Sequence, residues 1–146
     1  MIEAVLIPNT NTNDCWAMVD KHIKNALLRS GNHYNSSDIQ EKCNEGKMQL
    51  WIGWDNSKPK DDAHYATCVT EIITRPNSKT FSIFIMTGRS MKDFITVNNF
   101  DKLADFAKTH NCTHFEAVAR PGWERVLKRF NFKKSHVYLE RKLQYV

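Results

Sequence analysis

Cysteine is scarce and scattered in this chain: Cys15, Cys43, Cys68 and Cys112 are the only four in 146 residues, with no CxxC pair and no Cys/His cluster. That pattern points neither to a zinc site nor to a disulfide scaffold, and no metal is expected. The four thiols read as reduced, buried, small apolar residues. Long apolar runs are missing too. No stretch approaches the roughly 20 residues needed to cross a bilayer. Met1 to Ile7 lacks the basic start and long apolar segment of a signal peptide. A soluble intracellular protein without a membrane partner is expected. There is no repeat, no linker and no low-complexity tract. An apolar content of 41% over 146 residues suits one domain with a real core, spanning 1–146, better than two.

Acidic charge is in short supply at one end. Between Arg120 and Lys142 stand eight basic residues against Glu124 and Glu140, a local balance of +6 in a chain whose total is +5, so the remainder is about −1. Arg125, Lys128, Arg129, Lys133 and Lys134 form the centre of this basic face. Such a face suits coenzyme phosphates, nucleic acid or an acidic protein surface, and equally a solvated helix face beside a lysine-rich turn.

The hydrophobic pattern sets the order of elements. Glu3 to Ile7 is a short strand stopped by Pro8 and the polar NTNTND run. Asn13 or Asp14 then caps a helix with the stripe Trp16, Val19, Ile23, Ala26 and Leu27, ending at Ser30 and Gly31. Ser37 and Asp38 open a shorter helix that ends near Gly46. Met48 to Trp54, Tyr65 to Thr74 and Thr80 to Thr87 are three strands whose short connections predict an antiparallel meander. The run Phe81 to Met86 is apolar on both faces, as in a central strand. After the irregular Arg89 to Asn98 comes a helix bearing Phe100, Leu103, Ala104 and Ala107.

The last stretch is the most specific. Phe115 to Ala119 reads as a strand, which Arg120 and Pro121 end by starting a helix where proline's missing donor costs nothing. Trp123, Val126, Leu127 and Phe130 recur at helical spacing, with Trp123 as the large anchor. Asn131 stands where a helix stop usually wants glycine, and Val137 and Leu139 resume a strand. Trp51 and Trp54 are three apart on a strand and point to opposite faces, which argues against a base-stacking platform.

The run ARPGWERVLKRFNFKKSHVYLERKL, with the order strand, helix, helix, three strands, helix, strand, helix, strand, resembles the GNAT (Gcn5-related N-acetyltransferase) fold. It is most similar to small GNAT-like proteins of tailed-phage morphogenesis gene clusters. The resemblance covers nearly the whole chain and implies an α+β domain: a mixed, mostly antiparallel sheet of about six strands flanked by four helices. A usual seventh strand is then missing or supplied by a partner, which leaves an edge needing cover.

The resemblance also implies where acetyl-CoA chemistry belongs. A phosphate cradle of the form Q/R-x-x-G-x-G/A is expected after the fourth strand, but that place holds Thr87-Gly88-Arg89-Ser90-Met91-Lys92, with one glycine. Cofactor contacts fall to Gly88, Arg89 and the amides near Asn98 and Asn99. Counting back from Asn131-Phe132, the family's frequent acid tyrosine falls on Leu127 and its helix-starting asparagine on Arg120. Leucine transfers no proton, and Tyr138 on the adjoining strand is the candidate acid, against its other reading as a core or edge packing residue. Glu116 and Glu71 are the best placed bases, although strand alternation also turns such residues to solvent. His114 and His136 near strand ends stay ambiguous, and Cys112 has no organised base to make it a nucleophile.

With the cradle and the tyrosine both altered, the leading expectation is a non-catalytic phage accessory or virion-associated binding module. It would need no cofactor, would use the basic face for a protein or DNA contact, and would reside in the host cytoplasm and the virion. The alternative is an acetyl-CoA-dependent N-acetyltransferase with a divergent phosphate loop.

Overall fold

The structure is a computed structural model that describes residues 1–31 and 33–145. Its sheet has five strands in the order of the chain: β1 (Glu3–Ile7), β2 (Met48–Trp54), β3 (His64–Arg75), β4 (Ser78–Gly88) and β5 (His114–Ala117). β1 to β4 pair antiparallel, and β5 joins β4 in parallel. The parallel join requires a crossover, which α3 (Met91–Phe94) and α4 (Val97–Thr109) supply. Ahead of the meander, α1 (Thr12–Arg29) and α2 (Ser36–Asn44) cover the opposite face of the sheet. The fold class is therefore the expected one, with five strands and five helices among the described residues.

Each face of the sheet has its own core. Val19, Ile23 and Leu27 of α1 and Ile39 of α2 press on Leu50, Ile52 and Val69. On the other side Phe100 and Leu103 of α4 press on Trp51, Cys68 and Phe81. Consecutive residues of β2 and β3 thus serve opposite cores, as strand alternation requires. Trp51 and Trp54 separate in the same way, one into each core. Of the cysteines, Cys43 and Cys68 are buried, whereas Cys15 and Cys112 are half-buried.

β4 breaks the alternation once. Val69 pairs with Ile85 and Thr70 with Ile83, so Phe84 is an extra residue with no partner on β3. This bulge turns Phe84 and Ile85 to the same side: Phe81 and Ile83 face α4, but Ile85 lies in the core under α1 and α2.

The helix α5 (Trp123–Lys128) ends as the sequence indicates. Asn131 adopts the left-handed conformation at φ 68°. The Asn131 amide donates to the Lys128 carbonyl at 3.2 Å and the Phe132 amide to Leu127 at 3.3 Å, the paired bonds of a Schellman stop. Phe132 then packs on Phe115 with ring centroids 4.9 Å apart. The buried anchor of this helix is Leu127, while Trp123 is only half-buried against the same core.

The expected final strand does not form. Residues 133 to 145 carry no strand, and Val137 and Leu139 are 60% and 87% exposed. Alternating apolar residues choose a face but do not by themselves secure a partner, and this segment pairs with no strand among the described residues. No helix among them is long and apolar enough to cross a membrane.

Candidate functional site

The two strands nearest the C-terminus part company inside the sheet. β5 pairs with β4 only from Thr80↔His114 to Ile83↔Ala117, and the bulge at Phe84 is the next residue. From Phe84 to Gly88 the outer edge of β4 has no strand partner among the described residues. An open strand edge offers backbone donors and acceptors in a fixed row, which suits a ligand carrying amides of its own.

Gly88 and Arg89 close one end of that edge. A Cβ at Gly88 would lie 2.2 Å from the Tyr65 carbonyl oxygen and 2.7 Å from Ala66 Cα, so this glycine serves the close approach of β3. The Arg89 guanidinium donates to Asp62 Oδ1 at 3.0 Å and to the Asp62 carbonyl at 2.7 Å. It also lies 4.0 Å from the centre of the Tyr65 ring. Gly88 and Arg89, both predicted to touch phosphate, thus also make contacts within the fold. Ser90, which leads into α3, bonds Asp93 at 2.6 Å.

Asn98 and Asn99 divide in role. Asn99 is fully buried, and its amide bonds the Thr96 hydroxyl at 3.2 Å. Its side chain accepts from the Ala4 N–H at 2.9 Å and donates to the carbonyls of Ile2 at 2.9 Å and Phe94 at 2.8 Å. Asn99 is therefore a structural residue, which corrects its expected place among the cofactor contacts. Asn98 is exposed, and neither its amide nor that of Val97 has a backbone partner among the described residues. These two amides, at the start of a 13-residue helix, are donors fit to meet an anion.

The carboxylates predicted as bases share one row across three strands. Glu71 pairs with Ser82 and Ser82 with Glu116, and the Ser82 hydroxyl donates to Glu116 Oε2 at 2.9 Å. Burial pushes the Glu71 carboxyl above its usual range, with the Glu116 charge adding to the effect and Lys42 opposing it. Tyr138, predicted as the acid, is 73% exposed. Its hydroxyl donates to Glu140 Oε2 at 2.9 Å, and Glu140 in turn pairs with His33 Nε2 at 2.8 Å. The bond to Glu140 and that residue's charge hold the Tyr138 proton more tightly, the wrong direction for an acid. The triad instead ties the C-terminal segment to the loop between α1 and α2. Among the described residues the His114 and His136 rings bond only neighbouring hydroxyls, those of Thr113 and Ser135.

One cluster has no precedent in the sequence reading. His22 Nδ1 lies 3.1 Å and His64 Nε2 3.0 Å from the hydroxyl of buried Thr67, and the two rings stack at 4.9 Å. Burial lowers both imidazoles, His64 to about 4, with neighbouring positive charge adding to it. Forty-five residues separate His22 from Thr67, so only the packing of α1 on β3 brings them together. The one sequence hint is His22 beside the buried stripe of α1.

The predicted basic face is real as a surface. Arg125, Lys128, Arg129, Lys133 and Lys134 are all exposed, and none forms an ion pair among the described residues. No group of three metal-ligating side chains occurs among the described residues.

No family model matches the sequence, and no curated protein matches it. Solved structures do match, along the full length. A predicted acetyltransferase with acetyl-CoA from Clostridium acetobutylicum superposes with a TM-score of 0.69 at 18% identity, covering 97% of this chain and 96% of that one. The ribosomal-protein-alanine N-acetyltransferase of Brucella melitensis biovar Abortus 2308 gives 0.64 at 9% identity, over 100% of both chains. Glucosamine-6-phosphate N-acetyltransferase from Arabidopsis thaliana gives 0.64 at 8% identity, over 99% of each. The chain has the GNAT-like fold of these acetyltransferases.

Proposed function

We propose that this protein is an acyl-CoA-dependent N-acyltransferase whose phosphate contacts are rebuilt away from the usual glycine-rich loop. The observation that carries this reading is the opening of the sheet at the Phe84 bulge, where β4 offers an unpaired edge from Phe84 to Gly88. The pantetheine arm of an acyl-CoA has two amides and pairs with such an edge as a short strand does. Its phosphates then meet the Val97 and Asn98 amides of α4, while Gly88 and Arg89 make contacts within the fold. The full-length likeness to acetyltransferases, one of them with acetyl-CoA, supports the same donor. It also favours this reading over the phage accessory role that the altered motifs suggested.

Two helix amides are fewer donors than a glycine-rich cradle supplies, so affinity should be modest. Calorimetry with acetyl-CoA should give a dissociation constant of about 10–100 μM, or roughly 5.5–7 kcal/mol. No heat of binding up to millimolar donor would end the proposal.

A second reading rests on the basic face. Five exposed cations on and after α5, without an ion pair among the described residues, support a contact with nucleic acid or an acidic protein, with or without acyl transfer. A virion-associated role belongs with this reading.

A further inference from the structure

The segment 133–145 is attached to the rest of the fold at two places only. At its start, Phe132 packs on Phe115 of β5, with ring centroids 4.9 Å apart, and on Phe100 of α4 at 6.1 Å. That end belongs to the β5 side of the sheet. Beyond Phe132 every side chain to position 145 is exposed, and none of them enters either core. No backbone group from 133 to 145 makes a hydrogen bond among the described residues. The second attachment is a single bridge, in which His33 Nε2 donates to Glu140 Oε2 at 2.8 Å.

His33 belongs to the other side of the opening. Its neighbour Tyr34 meets the ring of Phe84 edge-on, with centroids 5.3 Å apart. Just before it, Arg29 at the end of α1 donates to the Thr87 hydroxyl at 3.2 Å. Phe84 and Thr87 both lie in the stretch of β4 that has no strand partner on its outer edge among the described residues. The chain from Phe132 to Glu140 therefore starts beside β5 and ends beside the open edge of β4, so it crosses the place where the two strands part.

The bridge is built to hold and easy to break. The bond from His33 first, and that from Tyr138 next, keep the Glu140 carboxyl below its usual range, so it accepts both as a carboxylate. Both partners are wet, at 58% and 45% exposure, and an ion pair in such a setting is a weak tie. A segment with no backbone bonds and one weak tie opens at little cost.

We propose that residues 133–145 are a strap across the opening of the sheet, that the Glu140–His33 bridge is its latch, and that an acyl-CoA enters and leaves the β4 edge when the latch is open. The proposal rests on the acyl-CoA reading above and adds to it a controlled entrance. The latch is closed in the ligand-free chain, so opening comes before binding. A strap that controls passage without touching the ligand changes entry and exit alike and leaves the equilibrium where it was.

Stopped-flow tryptophan fluorescence with acetyl-CoA tests this on the full chain. Glu140→Ala and His33→Ala should each raise the association and dissociation rates together by about 2- to 5-fold, the worth of one exposed ion pair. The dissociation constant should stay within about twofold of wild type. The double variant should behave as either single one, because both remove the same bridge. Unchanged melting temperatures should accompany these rates and show that the variants are folded. Rates equal to wild type in both single variants overturn the strap while the donor reading stands. So does a rise in the dissociation rate alone, which would make the bridge a donor contact, and so does an additive effect in the double variant. Failure of wild type to bind acetyl-CoA overturns both.

Discussion

A single side chain, Asn99, replaces the strand that β1 lacks on its outer edge. Its amide takes the Ala4 N–H and the Ile2 carbonyl in the way a neighbouring strand would, and adds the Phe94 carbonyl from before its own helix. Asn99→Leu would leave the Ala4 N–H and the Ile2 carbonyl without this partner, at about 1 kcal/mol or more each, while the Phe94 carbonyl keeps the Thr96 amide at 3.0 Å. The urea midpoint should therefore fall by an amount equivalent to about 2 kcal/mol, and an unchanged midpoint would mean that water replaces the side chain. Nothing near Asn99 in sequence foretells this, because Ala4 in β1 and Ile2 just before it are 95 and 97 residues away. His64 makes a second residue-scale prediction. Above its ordinary value of 6.5 the ring is neutral in both folded and unfolded chains, and no penalty arises. Between 6.5 and about 4 the unfolded chain binds a proton that the folded chain refuses, so stability is lost as pH falls through that window. The loss should be about 2 kcal/mol once solvent screening of a half-exposed ring is allowed for. Thermal melts of His64→Gln beside wild type isolate it from the carboxylates. Parallel curves from pH 7 to pH 4 would show that the imidazole is not held neutral.

At the scale of elements, periodicity was enough to find α1, α2, β2, β3, β4 and α4, because each carries an apolar stripe against a broad core. The stop of α5 was legible for a different reason. Few residues besides glycine accept a left-handed conformation, and asparagine at position 131 is one of them. Two features were not legible. The bulge at Phe84 is hidden because Phe81 to Met86 is apolar at five of six positions, so no residue marks the change of face. The tail at Val137 and Leu139 has strand alternation but pairs with no strand among the described residues, and pairing is not encoded in the segment itself. The start of α4 allows a test of the donor site that spares the fold. Val97 is the first helical residue, and Thr96 before it is extended, at φ −125° and ψ 160°. Both conditions suit proline at position 97, which deletes one amide donor and nothing else. Val97→Pro should keep the wild-type melting temperature within about 2 °C and weaken acetyl-CoA binding about tenfold, the worth of one hydrogen bond to a charged group. Equal affinity in calorimetry would remove the helix start from the site.

Across the whole molecule, charge is distributed more unevenly than the total of +5 suggests, since Arg120 to Lys142 alone holds +6. In the folded chain that excess stays outside: Leu127 turns inward, while Arg125, Lys128 and Arg129 remain on the wet side of α5 and Lys133 and Lys134 continue beyond it. Exposed cations contribute little to stability, and five of them without acidic partners among the described residues support the proposed contact with a polyanion. If nucleic acid is that polyanion, each neutralised phosphate releases a counterion, and four to five contacts give a slope of about −4 in log affinity against log salt. Fluorescence anisotropy with a short duplex should show this slope. Replacing Lys128, Arg129, Lys133 and Lys134 by Glu should abolish binding, while each exposed change shifts stability by only about 0.5 kcal/mol. Acetyl-CoA affinity separates the two roles of the surface. If it is unchanged in the reversed protein, the basic face and the open edge of β4 are independent sites. If it falls together with duplex binding, the same cations serve the coenzyme phosphates. Duplex binding that is insensitive to salt and survives the reversal would leave the face as a solubilising surface and rule out the nucleic-acid contact.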